Sequence, residues 1–115
     1  MSEVYTARFS LGNENIMKIV GEEVVLPPTD ASELHKSDNG TDAKPFVVGT
    51  GWDAYAEKLV VARENTESPE ILFPDAIDML TIGIATFGQT GGLPAEQAQP
   101  VYVRDTVSWK KLPGR

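Results

Sequence analysis

The chain has 115 residues and a formal net charge of −7 at pH 7, with 41% apolar and 23% charged residues. That is the length and balance of one globular domain, long enough to bury about two-thirds of its unfolded surface. The negative charge argues against a general nucleic-acid or anionic-membrane binder, and the lack of cysteine excludes disulfides and thiolate metal sites.

The charge is uneven. Residues 96–115 carry Arg104, Lys110, Lys111 and Arg115 against Glu96 and Asp105, a local balance of +2 that leaves −9 on residues 1–95. A solvated tail and a local contact with an acidic partner or RNA are both compatible with this. The start shows no basic-then-apolar leader. The uncharged run 79–95 holds four Gly, three Thr, a Gln and a Pro, which is no membrane span. A soluble, cytoplasmic chain is expected.

Residues 3–11 alternate, with Tyr5, Ala7, Phe9 and Leu11 on one side and Val4, Thr6, Arg8 and Ser10 on the other, the pattern of a half-buried strand. Gly12-Asn13-Glu14-Asn15 reads as a turn into a second strand at 16–20, giving a hairpin. Gly21-Glu22-Glu23 is expected to break that strand, leaving Val24-Val25-Leu26 as a short apolar piece before Pro27-Pro28. A two-stranded hairpin is marginal alone, so the chain reads as if it starts in the middle of a sheet. Asp30 and Glu33 have capping-box spacing for a helix to about Lys36, and 37–44 is loop by composition.

Pro45-Phe46-Val47-Val48-Gly49 is continuously apolar, like a strand buried in a parallel sheet. It runs through Thr50-Gly51-Trp52-Asp53 into a helical pattern at 54–59, a βα rhythm. Residues 60–62 read as a strand, 63–70 as polar loop, and Ile71-Leu72-Phe73 leads into the longest helical pattern, 74–92. The fold class expected is therefore mixed α/β. In that last helix Ile77, Leu80, Ile84 and Phe87 share one face, Asp75 is a good N-cap, and Gly91-Gly92 is a good stop. After Asp78 no charge appears until Glu96, so the helix should be covered on more than one side. We expect a core helix laid on a sheet, its small-residue side under the tail or a further lobe, and expect Ile84→Asp to unfold it. The tail, 95–115, has no helical period; Pro100–Arg104 should be extended, and Trp109 and Leu112 should anchor it.

Few residues call for chemistry. His35 is the sole histidine, near a helix end where an imidazolium suits the dipole. With no second His and no Cys, zinc is not expected, and no G-x-S-x-G points to a Ser-His-Asp triad. Asp75 and Asp78 are explained by capping and dipole, and Glu22 and Glu23 fall in a turn. Gly49-Thr50-Gly51 is more suggestive, because a glycine turn before a helix can offer backbone N–H groups to a phosphate or nucleotide. A tight turn that needs Gly for backbone reasons is the competing explanation.

Four segments together resemble the TsaB (YeaZ) family of glycoprotease-like proteins in bacterial tRNA modification. They are Glu3-Val4-Tyr5, Val48-Gly49-Thr50-Gly51-Trp52, Pro74-Asp75-Ala76 with Met79-Leu80, and the tail. In the tail, Ala98-Gln99-Pro100-Val101-Tyr102-Val103-Arg104 precedes Val107-Ser108-Trp109-Lys110-Lys111-Leu112-Pro113-Gly114. The tail is the most specific of the four. The resemblance covers the chain but only the C-terminal half of the family's length. It implies that residues 1–115 are one lobe of a two-lobed protein, with the N-terminal lobe and first strand outside the chain. It further implies a ribonuclease-H-like lobe of the actin-like ATPase superfamily. TsaB proteins are non-catalytic partners of the enzyme TsaD, acting with the ATPase TsaE in making threonylcarbamoyladenosine on tRNA; tRNA would be met indirectly, and a homodimer is possible. By this resemblance the chain has no catalytic residue, no metal and no cofactor of its own. Gly49, Thr50 and Gly51 are its candidate contacts to adenine nucleotide, without the fuller glycine-rich pattern of active members. The rival expectations are a glycoprotease-like hydrolase and a nucleotide-binding regulatory lobe.

Overall fold

The computed structural model describes residues 2–35, 45–63, 66 and 69–104. Two antiparallel strands, β1 (Val4–Leu11) and β2 (Met17–Leu26), are joined by a 3-10 turn at Asn13–Asn15. Helices α1 (Pro28–Leu34), α2 (Gly51–Ala54), α3 (Val60–Arg63) and α4 (Ala76–Thr90) follow. The architecture is mixed α/β, as expected. The segment 69–75 before α4 and residues 91–104 after it carry no strand, and a 3-10 turn lies at Ala95–Gln97.

The hairpin differs from expectation at Gly21-Glu22-Glu23. These residues do not break β2; they bulge from it. The register passes from Thr6 opposite Val24 to Arg8 opposite Val20, so Ala7 faces three residues. Gly21 supplies the left-handed backbone (φ +84) that lets the extra residues loop out while pairing resumes beyond them. Val24-Val25-Leu26 therefore belongs to the same strand. In the turn, Glu14 and Asn15 both adopt positive φ.

Helix α1 starts two residues before Asp30, with Pro27 at its N-cap and Pro28 in the first turn. Proline there needs no N–H partner and arrives with helical φ, so Asp30 lies inside the first turn and is not the N-cap. The helix rests on both strands and on α3. Its contact with α3 is the core: Ala31, Ser32, Leu59 and Ala62 are buried, and the Ala62 N–H donates to Ser32 Oγ at 3.3 Å. This contact explains why residues 60–62 are helical and not a strand. The buried Leu59 lies in the bend just before α3, and Ala62 lies within the helix.

The parallel-sheet expectation for residues 45–49 is not met. The segment is irregular, with Phe46 88% exposed, and its Gly49 N–H donates to the Ile71 carbonyl at 2.8 Å. The helical pattern at 54–59 is realised as the four-residue α2 followed by a turn through Lys58.

Helix α4 forms where expected. Asp75 caps it by accepting from the Ile77 N–H at 3.0 Å, and Gly91 ends it at φ +72. It is not a core helix, however. Ile77, Leu80, Ile84 and Phe87 are all exposed, Ile84 at 74%. The periodicity was a correct guide to the helix but not to what covers it, because period depends on the chain alone and cover depends on a second surface. The radius of gyration, 17.3 Å, exceeds the roughly 13 Å of a close-packed chain of this length. The expected anchors Trp109 and Leu112, and the loop at 37–44, lie outside the described residues. Among the described residues no helix is long and apolar enough to cross a membrane.

Candidate functional site

Alternation along β1 puts Thr6 and Arg8 on one face, two residues apart, and α1 lies against the hairpin there. The helix ends at His35, which brings its imidazole between them. The Arg8 Nε–H donates to Nδ1 at 3.1 Å, and Thr6 Oγ1 lies 2.5 Å from Nε2. A guanidinium can only donate, so Nδ1 must present its lone pair and Nε2 must carry the proton. Nε2–H therefore donates to the Thr6 hydroxyl.

This tautomer decides the chemistry. A histidine activates a hydroxyl by accepting its proton, and here the nitrogen facing Thr6 has no lone pair to do so. Burial first, and the Arg8 guanidinium second, hold the imidazole below its ordinary pKa of 6.5. The imidazolium expected at a helix C-terminus is thus disfavoured: the helix dipole is outweighed by a full positive charge at hydrogen-bond distance. The three residues join α1 to β1 through a neutral imidazole.

Gly49 has φ +99, which only glycine adopts without strain, and its N–H is already bonded to Ile71. Thr50 is the N-cap of α2 without a side-chain cap bond, and α2 has four residues, too short for a substantial dipole. At Gly51 a Cβ would meet Val4 Cγ1 at 3.7 Å, an ordinary contact. The structure thus keeps Gly49, Thr50 and Gly51 together in one turn beside the start of β1. Asp75 and Asp78 lie at the start of α4, Asp75 as its cap. Among the described residues no three His, Asp or Glu side chains gather closely enough to hold a metal ion.

Two features were not legible in the chain order. Arg104 crosses 101 positions to donate from Nη2 to the Glu3 carboxylate, and its guanidinium sits 5.7 Å from the Tyr5 ring centre. Beside it, next to the bulge, opens a groove of about 290 Å³ lined by Tyr5, Thr6, Ala7, Phe9, Glu23, Val24 and Val103. The alternation of β1 placed Tyr5 and Phe9 on one side, but neither the bulge that brings in Glu23 nor the return of Val103 has a local signal.

No family model matches the chain. It is 36% identical over 119 aligned positions to the tRNA threonylcarbamoyladenosine biosynthesis protein TsaB of Escherichia coli (strain K12), an alignment that takes in 100% of this chain and 48% of that protein. The TsaB of Haemophilus influenzae (strain ATCC 51907 / DSM 11121 / KW20 / Rd) is 35% identical over 98 positions, covering 85% of this chain and 38% of that protein. The chain spans about half the length of the first of these relatives and less of the second. With agreement at this level running from one end of its sequence to the other, the chain belongs to the TsaB family.

Proposed function

We propose that this chain serves as one lobe of a two-lobed, non-catalytic subunit in the cytoplasm that partners a TsaD-like enzyme, with a TsaE-like ATPase, in threonylcarbamoyladenosine modification of tRNA. The observation that carries this reading is the similarity, over 100% and 85% of this chain, to two TsaB proteins whose name states that pathway. The non-catalytic part is supported by the bridge at His35, where the one histidine is turned proton-first toward the nearest hydroxyl. The role of a subunit is supported by the apolar residues of α4 and of the Tyr5, Phe9 and Leu11 face, which stand exposed. In this reading the lobe has the ribonuclease-H-like fold of the actin-like ATPase superfamily, and it meets tRNA through its partner.

The test is reconstitution. Threonylcarbamoyl transfer to tRNA is measured with the TsaD-like enzyme and TsaE-like ATPase, with and without the intact protein that carries this chain. Transfer is expected only in its presence. An undiminished rate without it, or hydrolysis of a glycoprotein by the subunit unaided, would overturn the proposal.

A further inference from the structure

The groove beside the β2 bulge combines two kinds of surface. Tyr5 and Phe9 supply aromatic rings, Val24 and Val103 supply aliphatic walls, and Glu23 supplies a carboxylate. Glu23 reaches this position because of the bulge. In a regular ladder the three residues Gly21, Glu22 and Glu23 would not face the single Ala7. Among the described residues the Glu23 carboxylate makes no hydrogen bond or ion pair. An apolar, aromatic lining with one anionic rim group complements a long aliphatic side chain that ends in a positive charge.

The same molecule displays that chemistry at Tyr5, one of the groove's lining residues. The Arg104 guanidinium lies over the Tyr5 ring at 5.7 Å while donating to the Glu3 carboxylate. A ring face plus a carboxylate therefore already holds one guanidinium at Tyr5, and the groove's lining includes a second ring, Phe9, and a second carboxylate, Glu23. We propose that this groove is a docking site for an arginine side chain presented by a partner protein. The arginine stem would lie along Val24 and Val103, and its guanidinium would pair with Glu23 against the aromatic rings. The net charge of −7 favours approach of such a basic segment. The inference stands on the groove's chemistry and does not depend on which pathway the subunit serves.

The experiment titrates the full chain with Nα-acetyl-arginine amide and with its neutral isostere, Nα-acetyl-citrulline amide, following backbone amide shifts by NMR. Arginine is expected to give saturable shifts at Ala7, Glu23, Val24 and Val103, with an affinity roughly fivefold above that of citrulline. Glu23→Gln is expected to erase that preference while leaving the amide spectrum dispersed, since Glu23 is exposed. Equal binding of the two probes, no saturable shifts with arginine, or a preference that survives Glu23→Gln would each overturn the proposal.

Discussion

The Arg8 Nε–H points at Nδ1 of His35 from 3.1 Å; this contact sets the tautomer of the only histidine in the chain, and burial does most to hold the imidazole neutral, with the Arg8 charge second. Protonating Nδ1 would remove the acceptor and place two cations at hydrogen-bond distance. The unfolded chain, where the imidazole is solvated near its ordinary 6.5, therefore binds the proton more readily than the folded one. The contribution of His35 is fully present above about pH 6.5 and is lost as pH falls below it toward the lowered folded value. Urea midpoints of the chain at pH 8 and pH 5.5 should fall with acid, and His35→Gln should fall less over the same interval. Equal slopes for the two proteins would show that the imidazole titrates alike in both states.

Ser32 is buried where α1 meets α3, and its hydroxyl accepts the Ala62 N–H. Ser32→Ala leaves that buried donor without its acceptor and should cost about 1–2 kcal/mol, read by chemical denaturation. Ala62, with no exposed surface, leaves no room for added volume, so Ala62→Leu should cost about 1–3 kcal/mol. A neutral Ala62→Leu would place the contact between the two helices elsewhere.

Helix α4 draws its order from its own ends, since its side chains find no core. Asp75→Ala removes the cap to Ile77 and should cost about 1 kcal/mol of helix stability, seen as lost ellipticity at 222 nm. Ile84→Asp should change global stability by less than about 1 kcal/mol, because the side chain is exposed and only helix propensity is affected. This reverses the expectation from periodicity, in which the same change unfolds the chain by burying a charge. Cooperative unfolding of Ile84→Asp would mean that α4 is covered in solution.

Gly49 tests the glycine turn. A Cβ there meets nothing within 4 Å, so Gly49→Ala carries only the backbone strain of φ +99, about 1–2 kcal/mol. Gly51→Ala, at ordinary φ with its nearest neighbour at 3.7 Å, should be nearly neutral. Equal losses at the two positions would point to a demand on the turn beyond backbone conformation.

The sequence by itself determined the local features: the alternation of β1, the hairpin turn, Asp75 and Gly91 at the ends of α4, and a left-handed glycine at position 49. Each depends on residues within a few positions of one another, whose periodicity and backbone freedom are intrinsic to the chain. The family resemblance was legible for the same reason, since it rests on short contiguous motifs. Tertiary structure alone decided that 60–62 is a helix held by Ser32, that Glu22 and Glu23 bulge without ending a strand, and that α4 stands uncovered. It also decided that His35 is a neutral bridge, because the burial that holds off its proton and the Arg8 charge that adds to it come from packing against residues distant in the chain, Arg8 lying 27 positions away. Contacts across such separations depend on how surfaces meet, and neither hydrophobic period nor local propensity carries that information.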